Sequence, residues 1–173
     1  MTLPSTERLA LREMMPDDAP FIVELLTDPA FLKYIGDRGV RTLDDARRYI
    51  EHGPRAMYAR LGIGLWVVET RDGGTPVGIC GLLKRDTLPD PDVGYAFLPA
   101  HRGLGYATEA ARACCEFGFA VRGFERVLAI VSPGNAASVR VLGKLGFRYE
   151  ARRRFAPHEA EVDVYALERR PTR

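Results

Sequence analysis

The sequence predicts an α/β fold, of the α+β kind, in a single domain spanning residues 1–173. Two strand-like runs, Ile63–Thr70 (IGLWVVET) and Val77–Lys84, flank Asp72-Gly73-Gly74, the composition of a hairpin turn. From Leu104 onward the apolar period alternates between helix and strand. One strand-like run, Arg126–Val131 (RVLAIV), is apolar almost throughout, as in strands covered on both faces.

Taken in order, Arg8–Glu13 (RLALRE) alternates like a short strand. Pro16–Leu26 opens on Pro-Asp-Asp, which suits a first helical turn, and carries Phe21, Ile22, Leu25 and Leu26 on one side. A short piece follows around Phe31–Ile35. Thr42 has the chemistry of a helix N-cap, with acidic residues in the turn behind it and Ala46, Tyr49 and Ile50 on one face. Pro54 is expected to break or kink that helix. After the hairpin, a loop with Pro89 and Pro91 leads into a strand at Val93–Leu98 (VGYAFL). Leu104–Arg122 is the longest helix. Its polar residues Glu109, Arg112 and Glu116 form one narrow stripe, so most of its surface is expected to be buried. Asn135–Leu145 is a helix that Gly146 ends in the left-handed position. Phe147–Arg152 and Glu161–Leu167 complete the chain as strands.

Composition removes several function classes. A net charge of +2 provides no strong field for nucleic acid or an anionic membrane. Arg152-Arg153-Arg154 reads as a solvated edge, since only Phe155 accompanies it. No apolar run approaches the roughly 20 residues of a membrane span, and no leader is expected before Pro4. The three cysteines, two of them adjacent, read as reduced buried thiols, and the expected compartment is the cytoplasm. His52, His101 and His158 lack metal or triad spacing, so no metal is expected. Trp66 reads as core or pocket wall. A homodimer is compatible with the sequence, which does not define oligomeric state.

The chemistry concentrates in HRGLGYATEA (101–110). A helix N-terminus presents unpaired amide N–H groups and partial positive charge. Gly103 and Gly105 leave those amides open to a bulky anion, and Arg102 adds a charge. The turn suits a pyrophosphate; the alternative is a tight loop-to-helix junction that needs glycine only for its backbone angles. GLGYAT also has the form of a dinucleotide fingerprint, with Thr108 in the third glycine place and Glu125 about twenty residues on. Against that, Pro99-Ala100-His101-Arg102 separate it from the strand. No lysine follows the glycines, which excludes a Walker loop.

Arg102-Gly-Leu-Gly105-Tyr-Ala107 also resembles the Arg/Gln-x-x-Gly-x-Gly/Ala signature of the GNAT acetyltransferases. Thr108-Glu109-Ala110 and SPGNAASVRVLGKLGFRYE (Ser132–Glu150) resemble the ribosomal-protein N-terminal acetyltransferase (RimJ/RimL-like) branch. Two motifs in the right order are far more specific than either alone, and the resemblance runs from RLALRE to VYALE. It implies a mixed, mostly antiparallel sheet with splayed central strands, and an acetyl-CoA-dependent N-acetyltransferase acting on a primary amine. A protein N-terminus and a small-molecule amine are both open as acceptor. The alternative is a silent module of this fold that holds acyl-CoA without turnover.

The resemblance also implies roles. The amides of Arg102, Gly103, Leu104, Gly105, Tyr106, Ala107 and Thr108 would hold the CoA pyrophosphate. Backbone at Phe97 and Leu98 would pair with pantetheine, and Asn135 would contact the cofactor, or cap its helix, or both. Asp92 is the leading candidate base, with Asp163 and Glu161 behind it; its bland reading is a solvated loop acid beside Asp90. The tyrosine that many members place seven residues after the asparagine is Leu142 here. Ser138 becomes the candidate donor to the leaving thiolate, unless it only bonds backbone in the first helical turn.

Overall fold

A computed structural model describes residues 2–170. The sheet has seven strands: β1 (Leu9–Arg12), β2 (Leu65–Thr70), β3 (Pro76–Leu83), β4 (Asp92–Phe97), β5 (Arg126–Val131), β6 (Arg148–Arg153) and β7 (Val162–Glu168). Their order is β1-β2-β3-β4-β5-β7-β6. Every neighbouring pair is antiparallel except β4 and β5.

The apolar run of β2 has a direct cause. Trp66 and Val68 pack with Cys80 and Leu82 of β3 against Ala110, Cys114 and Phe117 of helix α5 (Tyr106–Ala120). Val67 and Ile79 point the other way, onto Ile22 and Leu25 of α1 (Ala19–Leu26) and Ala46 and Ile50 of α3 (Leu43–Ile50). A strand covered on both faces has no polar side to display. The three cysteines are free and buried, as expected from their placing.

Helix ends follow local chemistry. Thr42 caps α3 through a reciprocal box with Asp45. Asp28 caps the short α2 (Pro29–Tyr34) by accepting from the amides of Ala30 and Phe31. Asn135 and Gly146 bound α6 (Ala136–Leu145), as the sequence predicts. Pro54 does not end its helix. The chain passes through a π-helical turn over Glu51–Arg55 and continues as α4 (Ala56–Leu61). A wider turn tolerates a residue that lacks an N–H, and such turns recur at functional sites.

Candidate active site

β4 and β5 touch at a single register position, Asp92 opposite Leu128, where the Leu128 amide donates to the Pro91 carbonyl at 2.8 Å. Beyond that point the strands part. A cleft of about 890 Å³ opens there, running from the head of α5 past β4 to α2 and the α3–α4 turn.

The Leu98 amide donates to the Val77 carbonyl of β3 at 3.0 Å. Antiparallel strands alternate their bonding side, so Val93, Tyr95 and Phe97 aim their backbone groups into the gap. Arg102 Nε donates to the Phe97 carbonyl at 3.0 Å. Free backbone facing the gap therefore belongs to Tyr95 and to the Phe97 amide. This corrects the expectation for Leu98, whose amide is used and whose side chain sits in the core with α1 and α3.

At the mouth of the cleft, Gly103 and Gly105 hold φ of 73° and 82°, where any side chain is strained. The first intrahelical bond of α5 runs from the Glu109 amide to the Gly105 carbonyl at 3.0 Å. The amides of Tyr106, Ala107 and Thr108 thus lack helical acceptors, and all three residues line the cleft. Arg8, just ahead of β1, braces this loop. It donates to the Leu104 carbonyl at 2.9 Å, pairs with Glu109 at 2.6 Å and lies over the Tyr106 ring. Leu104 turns its side chain to solvent, 48% exposed, so only its backbone belongs to the turn.

Arg102 is more tightly committed than the sequence suggests. Besides holding Phe97, it pairs with Asp28 at 2.6 Å and so ties the loop to the N-terminus of α2. Burial pulls the Asp28 carboxyl upward, but Arg102 and the two capping amides outweigh it and hold the group below the usual range. Arg140 and Lys144 of α6 add positive charge to the cleft wall.

On the other wall, Asn135 Oδ1 accepts from the Ser138 amide at 3.2 Å, a true N-cap that also borders the cleft. Ser138 Oγ lies 2.8 Å from Tyr95 Oη. Sequence reasoning missed Tyr95. The signal was its period: Val93, Tyr95 and Phe97 all pack on the α5 face of β4. Burial pushes the Tyr95 hydroxyl up to about 12, with the Ser138 contact opposing. Leu142 is fully buried and belongs to the core.

Asp92 is no solvated loop acid. It opens β4, is 1% exposed, and accepts from Arg85 Nε at 2.9 Å through Oδ1, while Oδ2 has no partner. Burial pushes its carboxyl above the usual range, with Arg85 pulling it back. Among the described residues it is the only carboxylate in the cleft wall. Asp163 instead forms a two-point pair with Arg152, at 2.8 and 3.1 Å, on the outer strands. Glu161 lies exposed, 3.9 Å from Arg154. Neither lines the cleft.

Residues 8–148 match the acetyltransferase (GNAT) domain family. The chain belongs to the GNAT acetyltransferases. It is 35% identical over 147 residues to YkkB of Bacillus subtilis, a protein of uncharacterized activity, covering 83% of this chain and 84% of that one. It is 31% identical over 146 residues to YnaD of the same organism, an uncharacterized N-acetyltransferase, covering 84% and 82%. Among solved GNAT-like folds, an acetyltransferase from Agrobacterium tumefaciens superposes with a TM-score of 0.82 at 25% identity, covering 98% of this chain and 95% of that one. RimL, a ribosomal-protein α-N-acetyltransferase solved with coenzyme A, shares the fold at a TM-score of 0.75 and 14% identity, covering 97% and 98%.

Proposed function

We propose that this chain transfers an acetyl group directly from acetyl-CoA to a primary amine, as one GNAT domain. The observation that carries the reading is the β4–β5 gap, which joins a helix-N-terminal anion cradle to a buried carboxylate and a hydroxyl pair in one cleft.

The cradle fits a pyrophosphate. Three unsatisfied amides and the positive end of a 15-residue helix face the cleft behind two glycines. Free backbone groups of Tyr95 and Phe97 suit an extended amide-bearing chain, as an added strand would. Acetyl-CoA supplies the thioester; the protein has to position it, take one proton from the ammonium and stabilise the departing thiolate.

An alkylammonium of pKa near 10.4 loses its proton at pH 7 at a cost of about 4 to 5 kcal/mol. Asp92 accepts that proton, directly or through one water, and its burial makes it a stronger base than an exposed aspartate. As the C–N bond forms and the C–S bond breaks, the nitrogen's second proton passes to the departing sulfur through water, while Ser138 donates a hydrogen bond to that sulfur and Tyr95 Oη donates in turn to Ser138 Oγ. The test is a panel of amines with acetyl-CoA, following thiol release. Amine-dependent release supports the reading; its absence with every acceptor leaves a binding module.

A further inference from the structure

The end of the cleft farthest from α5 carries polar groups that the transfer step leaves unused. Its wall comes from α2, the π-helical turn and the segment joining β3 to β4. Phe31, Tyr34, Pro54 and Met57 give it an apolar lining. Arg38, Tyr49 and Arg85 are set into that lining.

None of these three is fully satisfied by the described residues. Arg85 commits only Nε, to Asp92, and its terminal nitrogens find no acceptor among the described residues. Arg38 is exposed and forms no ion pair there, because the adjacent Asp37 is taken by Arg41 at 2.7 Å. Tyr49 is half-buried, and its hydroxyl has no hydrogen-bond partner among the described residues. Arg38 and Arg85 line the same cleft as this phenol, and burial raises the Tyr49 pKa while the two arginines oppose it. Behind them lies the unpartnered Oδ2 of Asp92.

The charge count decides the ligand. This end holds two guanidiniums against one carboxylate, and that carboxylate is already paired. A polyamine or an aminoglycoside would meet like charge. An acidic oxygen group would meet two planar donors and a phenol, with apolar walls for the carbon skeleton.

We propose that the acceptor amine carries an acidic oxygen group, carboxylate or phosphate, which Arg38 and the free end of Arg85 hold with help from Tyr49. The inference rests on this cleft being the acceptor site of an acetyltransferase, as argued above.

The test compares acceptors matched in all but charge, with saturating acetyl-CoA. Leucine and phenylalanine represent aminocarboxylates, O-phosphoethanolamine the phosphates, leucinamide and phenethylamine the neutral controls, and spermidine and kanamycin the polycations. The expected result is a kcat/KM at least about tenfold higher for one acidic class, which also separates carboxylate from phosphate. Arg38→Gln should raise the KM for that class about ten- to hundredfold while leaving the KM for acetyl-CoA within about twofold. Neutral or polycationic amines used as well as acids, or an unmoved KM in Arg38→Gln, would overturn the proposal. If no amine is turned over, the transferase reading fails by itself. Melting of the CoA-loaded protein with N-acetylleucine or inorganic phosphate then reads the site: a rise in wild type that Arg38→Gln abolishes supports it, and no rise overturns it.

Discussion

Asp92→Asn isolates proton removal from everything else in the cleft. Asparagine keeps the shape and can still accept the Arg85 Nε hydrogen bond, now 2.9 Å. It cannot take a proton. General-base effects are typically about 100- to 10,000-fold, and the whole cost to be offset at pH 7 is about 4 to 5 kcal/mol. Turnover should fall within that range at pH 7 and recover as pH approaches the amine's own pKa, where free amine is already abundant. Stability should move the other way. Burial raises the Asp92 carboxyl, so the folded protein holds that proton more tightly than the unfolded chain does. Its stabilising effect is complete below the ordinary carboxylate pKa and is lost as pH rises through the folded one. Asparagine cannot ionise, so the variant gains on wild type across that window. Thiol release from pH 6 to 10, with denaturant melts at acid and neutral pH, reads both effects. A loss of activity with the same factor at every pH would refute a base at Asp92, and an unchanged profile would move the base to bulk water.

Ser138→Ala should lower turnover without recovery at high pH, because it removes a donor to sulfur and leaves amine deprotonation alone. Tyr95→Phe should give a smaller loss of the same shape, since its hydroxyl reaches the sulfur only through Ser138; both are read in the same pH series. Gly105→Val should weaken CoA binding in calorimetry by more than it lowers stability. It strains the φ of 82° and crowds the amides, with Arg8 already 3.3 Å from where a Cβ would sit. Thr42→Ala should cost about 1 kcal/mol in a denaturant melt by removing the cap on Asp45, with CoA affinity unchanged.

Most of the framework was readable because local chemistry and tertiary demand agree there. The run RVLAIV is apolar because β5 is covered on both faces, and α6 lies between its Asn135 cap and Gly146 as its end signals require. The glycine turn at the head of α5 was legible for the same reason: Gly103 and Gly105 advertise backbone angles that other residues avoid. What could not be read depends on where distant segments meet. Asp92 looks like a loop acid beside Asp90 and Pro91, and only the β3–β4 pairing with Arg85 above it makes it buried. Tyr95 meets Ser138 because β4 and β5 splay by an amount that no spacing encodes. Arg102 reads as a free cation until Asp28 arrives from another helix. Pro54 signals a stop, but the helix widens by one turn and continues because Met57 and Tyr58 beyond it still face the cleft and the core.

The head of α5 and the β4–β5 gap together form the proposed coenzyme A site. Thermal melting with acetyl-CoA, CoA and NAD tests it directly. At 100 times its dissociation constant a ligand of the folded state adds about 2.7 kcal/mol, well within the resolution of a melt. A clear rise is expected with acetyl-CoA and CoA, little with NAD, and a much smaller rise in Gly105→Val. Stabilisation by NAD alone would contradict it and return the glycine turn to the dinucleotide reading.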